Sequence, residues 1–256
     1  MVNNMESVLF DFHSHILPKM DDGSTDFRAS LEMLRALSKQ GVTDVFCTPH
    51  FLPMHESTAD FICRRKNSYE ALRAYIKSLG EQNLPNIKLG AEIRVTRNIS
   101  EADLGGLEYE GISALLLELP REALSRQIVK QICNLCVTKR YIPIIAHLDR
   151  YKWFKPKDIH ILSDIPDVVF QFNTDALSHF FTKRAILKLA RDGHHILFGS
   201  DCHNTTDRAA NFNLLTGEGG RSVLSTKERS LLLKVHKETQ LFVFCGREQK
   251  NSGLFF

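Results

Sequence analysis

The sequence predicts an α/β fold on a parallel sheet, either a (β/α) barrel or an open doubly wound sheet. Seven short apolar, β-branched-rich runs recur, and segments of helical periodicity separate most of them. The runs are nearly continuous in hydrophobicity, as strands covered on both faces are; half-exposed antiparallel strands would alternate. Each run also delivers a polar side chain at its carboxyl end, the rim where parallel barrels build their sites.

The first run, 8–12, leads through Asp11-Phe12-His13-Ser14-His15. Ser24-Thr25-Asp26 offers an N-cap to a helix over 27–40, where Leu31, Leu34 and Leu37 share a face and Gly41 ends the pattern. The second run, 42–47, is followed by Thr48-Pro49-His50 and a helix over 59–82. Run 87–91 ends in Glu92, and run 114–117 in Glu118. A helix over 122–139 leads to run 142–146 and His147. Run 168–172 carries Gln171 and continues to Asn173. A helix over 180–192 precedes run 196–199, after which come Asp201 and His203, and a last helix is expected over 227–236. No internal repeat, low-complexity tract or linker-like stretch divides the chain, so residues 1–256 read as one domain.

Composition excludes little but bounds the class. At 256 residues with 43% apolar and 25% charged side chains, the chain can bury a substantial core. A formal charge of +3 is too small to indicate a nucleic-acid coat. The N-terminus lacks a basic n-region, and run 8–12 is far too short for a signal core or a membrane span. A cytoplasmic protein is therefore expected, without membrane insertion and with its six cysteines reduced.

His13 and His15, two apart at a strand's end, project to one side because side chains alternate along a strand. Imidazole nitrogens so placed suit a divalent transition metal, and Asp22 adds an oxygen donor. Five of the eleven histidines (His13, His15, His50, His147, His203) fall at strand ends. Glu92 and Glu118 stand after apolar runs, where an unpaired carboxylate is disfavoured by several kcal/mol, so they call for a cation. Other features read more plainly. Cys133-Asn134-Leu135-Cys136 has metal-like spacing, but no second pair accompanies it and it falls in a predicted helix, so buried thiols are expected. His194-His195 precedes a strand at its N-terminal end and reads as structural. The basic, aromatic stretch 152–157 suits either an acidic phosphorylated or nucleic-acid strand or a plain solvated loop.

Taken in order, HxH, Asp22, TPH, two separate glutamates, AHxxR and SDxH resemble the polymerase-and-histidinol-phosphatase (PHP) superfamily. Asp21-Asp22-Gly23, Gly90-Ala91-Glu92, Leu115-Leu116-Leu117-Glu118-Leu119, His147 with Arg150-Tyr151, and Gly199-Ser200-Asp201-Cys202-His203-Asn204 narrow it. They resemble the bacterial metal-dependent protein-tyrosine phosphatases of capsule and exopolysaccharide loci, the CpsB type. The resemblance runs from Asp11 to about Arg208; the pattern after Gln171-Phe172-Asn173 and the tail beyond Phe212 match poorly. It implies a distorted seven-stranded (β/α) TIM-like barrel (the PHP fold) with two or three divalent metals. It further implies nine ligands: His13, His15, Asp22, His50, Glu92, Glu118, His147, Asp201 and His203. Nitrogen and oxygen donors without thiolate suit manganese, the expected metal, and also iron or zinc. Clustered cations make hydroxide available near neutral pH for in-line attack on phosphorus. Arg150 and Arg208 are the expected phosphate clamps, since a guanidinium grips two oxygens at once. The implied partner is a phosphotyrosine protein, the tail of a bacterial tyrosine kinase. A phosphatase of a small molecule such as histidinol phosphate, or a nuclease, would use the same metals. Cys202 to Arg208 also fits the C-x5-R pattern of cysteine-dependent tyrosine phosphatases. That loop, however, has no glycine to turn N–H groups inward, and Asp207 would repel an anion.

Overall fold

The computed structural model describes residues 8–121, 124–151, 156–218 and 223–245. Among them, nine strands and seven α-helices succeed one another in chain order. They are β1 (Phe10–Ser14), α1 (Phe27–Lys39), β2 (Asp44–Cys47), β3 (His50–Phe51), α2 (Thr58–Ser78), β4 (Asn86–Leu89), β5 (Glu92–Arg94) and β6 (Ala114–Glu118). Then come α3 (Arg126–Val137), β7 (Ile142–Ile145), α4 (Pro156–Ser163), β8 (Val169–Asn173), α5 (Phe180–Arg191), β9 (Ile196–Gly199), α6 (Asn213–Thr216) and α7 (Thr226–Cys245). Every strand pairing is parallel. The strands form two sheets, β1-β2-β4 and β3-β5-β6-β7-β8-β9.

Each of the seven predicted runs contains a strand, and two of them break and resume. After β2, Pro49 has no N–H to give a ladder, and the chain resumes as β3 in the other sheet. After β4, Gly90-Ala91 makes the same step into β5. Gly90 N–H to Cys47 O and Glu92 N–H to Pro49 O carry the hydrogen bonding across both breaks. On the other side, Asp201 N–H donates to His13 O and His15 N–H to Cys202 O, so β1 meets the chain leaving β9.

Both faces of the larger sheet are covered. Leu115, Leu117, Ile145, Phe170, Ile196 and Phe198 pack in one apolar cluster with buried residues of the helices. Leu116, Ile144, Val169 and Leu197, their alternates, pack in a second with Phe10, Phe12, Phe46 and Tyr109. This double burial is why the runs lack alternation.

The helices begin at their caps. Asp26 accepts from Ala29 N–H at the start of α1, Ser57 from Asp60 N–H at α2, and Ser125 from Ile128 N–H at α3. Three helices depart from expectation. Helices α4 and α6 are not anticipated by the sequence pattern, and the 152–157 stretch lies outside the described residues at 152–155. Helix α7 runs to Cys245 rather than ending near His236, although Leu241-Phe242-Val243-Phe244 reads locally as strand. Its buried face explains the extension. Gln240 accepts from Phe10 N–H and donates to Val8 O, and His236 takes Phe198 N–H and gives to Phe10 O. Thr239 accepts from Ile196 N–H. Polar side chains of α7 thus satisfy backbone groups of β1 and β9 that would otherwise be buried without partners.

Candidate metal centre

The first strand sets the site. Pairing of β1 with β2 shifts register between Asp11 and Ser14, the kind of bulge that re-aims a side chain beside a site. Phe12 goes into the inner apolar cluster, while His13 and His15 bring their Nε2 atoms to 3.2 Å of each other. Two glycines permit this. A Cβ on Gly199 would lie 2.4 Å from His13 Cβ, and one on Gly23 would lie 2.4 Å from His15 Cβ and O. The Asp21-Asp22-Gly23 motif is therefore a close packing of loop on histidine.

All nine predicted ligands converge. Glu92 Oε2 lies 3.1 Å from His13 Nε2, 3.3 Å from His15 Nε2 and 2.9 Å from His50 Nδ1, while Oε1 lies 2.7 Å from His147 Nε2. Asp201 Oδ1 is 3.3 Å from His15 Nε2 and 3.5 Å from His203 Nδ1. Asp22 Oδ1 sits 3.4 Å from both His50 Nε2 and His203 Nε2. Donor atoms within 4.8 Å of one another form three groups: His15-Asp22-His50-His203, His13-His15-Glu92 and His50-Glu92-Glu118. His147 and Asp201 border them through Glu92, His13 and His15.

The chemistry of this cluster fits divalent cations. Among the described residues, His147 Nδ1 is buried with no hydrogen-bond partner, and His50 Nδ1, Glu92 Oε2, Glu118 Oε2 and His203 Nε2 are buried with charge contacts at 2.8–3.4 Å but no hydrogen bond. Buried polar atoms are seldom left so, and here five belong to adjoining donors. Metals with donors about 2.0–2.2 Å away hold neighbouring donors about 3–3.5 Å apart, the spacing found here. Cysteine is missing from the three groups, which favours the harder N/O metals. Burial and electrostatics agree. Burial alone would raise Glu92, but His13 and His147 hold it well below the usual carboxylate range. Asp201 is likewise held down against burial by His13, His15 and Arg150. Burial and the charge of His15 push His203 down to about 4, leaving its imidazole neutral and able to ligate.

Several residues that support these donors carry no role in the sequence reading. Asp21 Oδ2 accepts from His15 Nδ1 at 2.6 Å and from His50 N–H at 2.9 Å. Gln171 Oε1 accepts from His13 Nδ1 and from His147 N–H, and Gln171 donates to Asn173, which donates to Asp201. These bonds fix the tautomers that turn Nε2 of both leading histidines toward the cluster. Asp11 ties Ser200 to β1, and burial raises its carboxyl to about 6. The signal was present as Asp11 two before His13, Asp21 beside Asp22, and Q-x-N along β8. Two presumed ligands also sit in the left-handed region, His147 at φ 31° and Asp201 at φ 50°. Such backbone costs about 1–3 kcal/mol for a non-glycine residue and persists where surroundings over-determine it.

The centre opens into a cleft of about 550 Å³. Asp22 and His50 reach it, and among the described residues four guanidinium groups line it. Arg150 lies 2.5 Å from Asp201, Arg208 bridges Asp22 and Asp201 at 3.2–3.3 Å, and Arg94 lies 2.8 Å from Glu118. Arg121, exposed, makes no ion pair among the described residues. The two predicted clamps are thus in place at the cleft and are also paired to presumed ligands.

The other candidate features have plain structural roles. Cys202 is fully buried and burial pushes its thiol well up, so it is a protonated core thiol. The loop after it closes on itself: Asn204 Oδ1 takes Thr206 and Arg208 N–H, and His203 N–H gives to Arg208 O. The N–H groups of His203, Asn204, Thr206 and Arg208 are thus engaged within the loop rather than turned inward as an anion cradle. Of the two thiols expected to be buried, Cys136 is buried in α3 and donates to Pro166 O, whereas Cys133 is only half-buried. His195 stacks on Phe242 at the far end of β9.

Residues 9–217 match the family described as capsular polysaccharide synthesis, CpsB/CapC. CapC of Staphylococcus aureus is 30% identical over 210 residues, covering 78% of this chain and 79% of that protein. Tyrosine-protein phosphatase YwqE of Bacillus subtilis (strain 168) is 30% identical over 213 residues, with the same coverage of each. In fold, the chain is similar to the crystal structures of YwqE from Bacillus subtilis and CpsB from Streptococcus pneumoniae, unique metal-dependent tyrosine phosphatases. The TM-score is 0.72 at 24% identity, over 93% of this chain and 94% of that one.

Proposed function

The chain belongs to the CpsB/CapC family of capsular polysaccharide synthesis, and from that membership we propose a metal-dependent phosphotyrosine-protein phosphatase. The observation that carries the reading is the convergence of five histidines and four carboxylates beneath a cleft lined with arginine. The two sheets are read as arcs of one distorted seven-stranded barrel: β2 with β3 and β4 with β5 are each one interrupted strand, and hydrogen bonds span both seams. Residues 1–256 form one domain on this reading. The metals are read as two or three divalent ions, manganese being the expected one, with donors that suit iron or zinc as well.

Bound divalent cations would supply Lewis acidity, and a water ionised near neutral pH, to an in-line displacement at phosphorus. The protein's own part is positional. Asp21 and Gln171 lock the rings of His15 and His13. Asn173, Arg150 and Arg208 hold Asp201. Arg150 and Arg208 keep 39% and 30% of their side chains exposed, open to phosphate oxygens arriving by the cleft. A tyrosinate leaving group, with pKa about 10, needs little help from a general acid. This suits a cleft whose nearest phenol, Tyr151, is pushed far up by burial and is already bonded to Leu119 N–H.

The physiological substrate is read as the phosphotyrosine tail of a bacterial tyrosine kinase, met in the cytoplasm. No described helix is long and apolar enough to cross a membrane. Turnover of a phosphotyrosine peptide, histidinol phosphate and a short oligonucleotide tests the reading. The peptide should be hydrolysed at least tenfold more efficiently than either alternative; preference for histidinol phosphate or the oligonucleotide would replace it.

A further inference from the structure

Among the described residues four arginines line the cleft, and three of them are already matched. Arg150 and Arg208 hold Asp201 and Asp22, and Arg94 holds Glu118. A single phosphomonoester needs no more cationic partners than Arg150, Arg208 and the metal centre offer. Arg121 is left over, exposed at the rim and without a carboxylate partner among the described residues.

Its place is fixed rather than incidental. It stands three residues beyond Glu118, at the end of the segment Glu118-Leu119-Pro120-Arg121. Leu119 is fully buried, its N–H is held by Tyr151 Oη at 2.7 Å, and Pro120 fixes the next φ. Tyr151 in turn packs against the ring of His147. The chain leaving β6 is therefore pinned to the metal centre on one side and presents a guanidinium to the cleft on the other. Arg150 and Arg208 pair with Asp201 and Arg94 with Glu118, while Arg121 lines the same cleft, so a phosphate gripped by Arg150 and Arg208 leaves Arg121 available to another part of the substrate.

We propose that Arg121 is a specificity-determining residue that pairs with a carboxylate side chain flanking the phosphotyrosine in a polypeptide substrate. The proposal rests on the tyrosine-phosphatase reading above and deepens it. It makes the preferred substrate an acidic phosphotyrosine peptide rather than a bare aryl phosphate. Because the pair forms at an exposed rim, its effect is modest and falls with ionic strength.

The test is a ratio, kcat/KM for a phosphotyrosine peptide with glutamates beside the phosphotyrosine over that for the same peptide with lysines there. The metal-loaded wild-type protein should favour the acidic peptide about two- to fivefold at low salt, as an exposed ion pair allows, and less at 0.5 M salt. Arg121→Gln should bring the ratio toward one, and Arg121→Glu should invert it. A melting curve for each variant shows that it is folded, and the ratio cancels any general loss of activity. A wild-type ratio near one, or a ratio that stays the same in Arg121→Glu, overturns the role of Arg121 and leaves the phosphatase reading standing. Failure of the wild type to hydrolyse either peptide contradicts that reading and the inference with it.

Discussion

Asp21 decides which nitrogen of His15 faces the cluster. Its Oδ2 takes the Nδ1 proton at 2.6 Å, and His15 holds the carboxyl far below its ordinary range despite burial. Asp21→Asn should therefore weaken metal binding by about 10- to 100-fold, read by titrating the apo-protein with manganese. Wild-type affinity in that variant would remove the orienting role. Arg150→Ala and Arg208→Ala should each lower kcat/KM by about 10²-fold, as loss of one charge-stabilising donor does, with Tm nearly unchanged. A collapse of Tm would mean that their bonds to Asp201 serve the fold instead. Cys202→Ser should keep most activity, whereas Asp201→Ala or His203→Ala loses nearly all. An inactive but folded and fully metallated Cys202→Ser protein would contradict the buried-thiol reading. At this scale the donors were legible, because each stands at the end of an apolar run. Their supports were less so: Gln171 serves His13 from 158 residues away.

Helix α7 closes a seam that local sequence could not reveal. His236 stands between Phe198 N–H and Phe10 O, Gln240 serves Phe10 and Val8, and both are buried. Replacing His236 with leucine strands a backbone N–H and a carbonyl, each costing about 1–3 kcal/mol, and denaturant unfolding should report the loss. The same ring gives a pH dependence. Burial lowers its pKa to about 4 from an ordinary 6.5 in the unfolded chain. The unfolded state then binds the extra proton between those values, so the contribution is complete above pH 6.5. It is lost as pH falls toward 4, amounting to about 3 kcal/mol. A His236→Gln protein should show a flatter stability profile across that window; an unchanged slope would assign the titration elsewhere. Sequence pattern ends the helix near His236 because Leu241-Phe242-Val243-Phe244 beyond it reads locally as strand. Strands β3 and β5 escape it for another reason, being only two and three residues long after breaks at Pro49 and Gly90-Ala91.

For the molecule as a whole, parallel strands delivering donors to one rim were readable from the hydrophobic runs and the polar residues at their carboxyl ends. The division into two sheets was not, since it depends on which strand pairs with which across the breaks. The donors stand at the carboxyl ends of β1, β6, β7 and β9 and at the first residues of β3 and β5, so cations bound there would link the two sheets. Removing them should abolish chemistry while leaving the apolar clusters on both faces in place. The most direct measurement is turnover of a phosphotyrosine peptide after exhaustive chelation and again after manganese is restored, with circular dichroism recorded at each stage. Activity should vanish on chelation and return with manganese while the helical signal persists. Full turnover by a protein shown to be free of metal would contradict the metal-dependent mechanism.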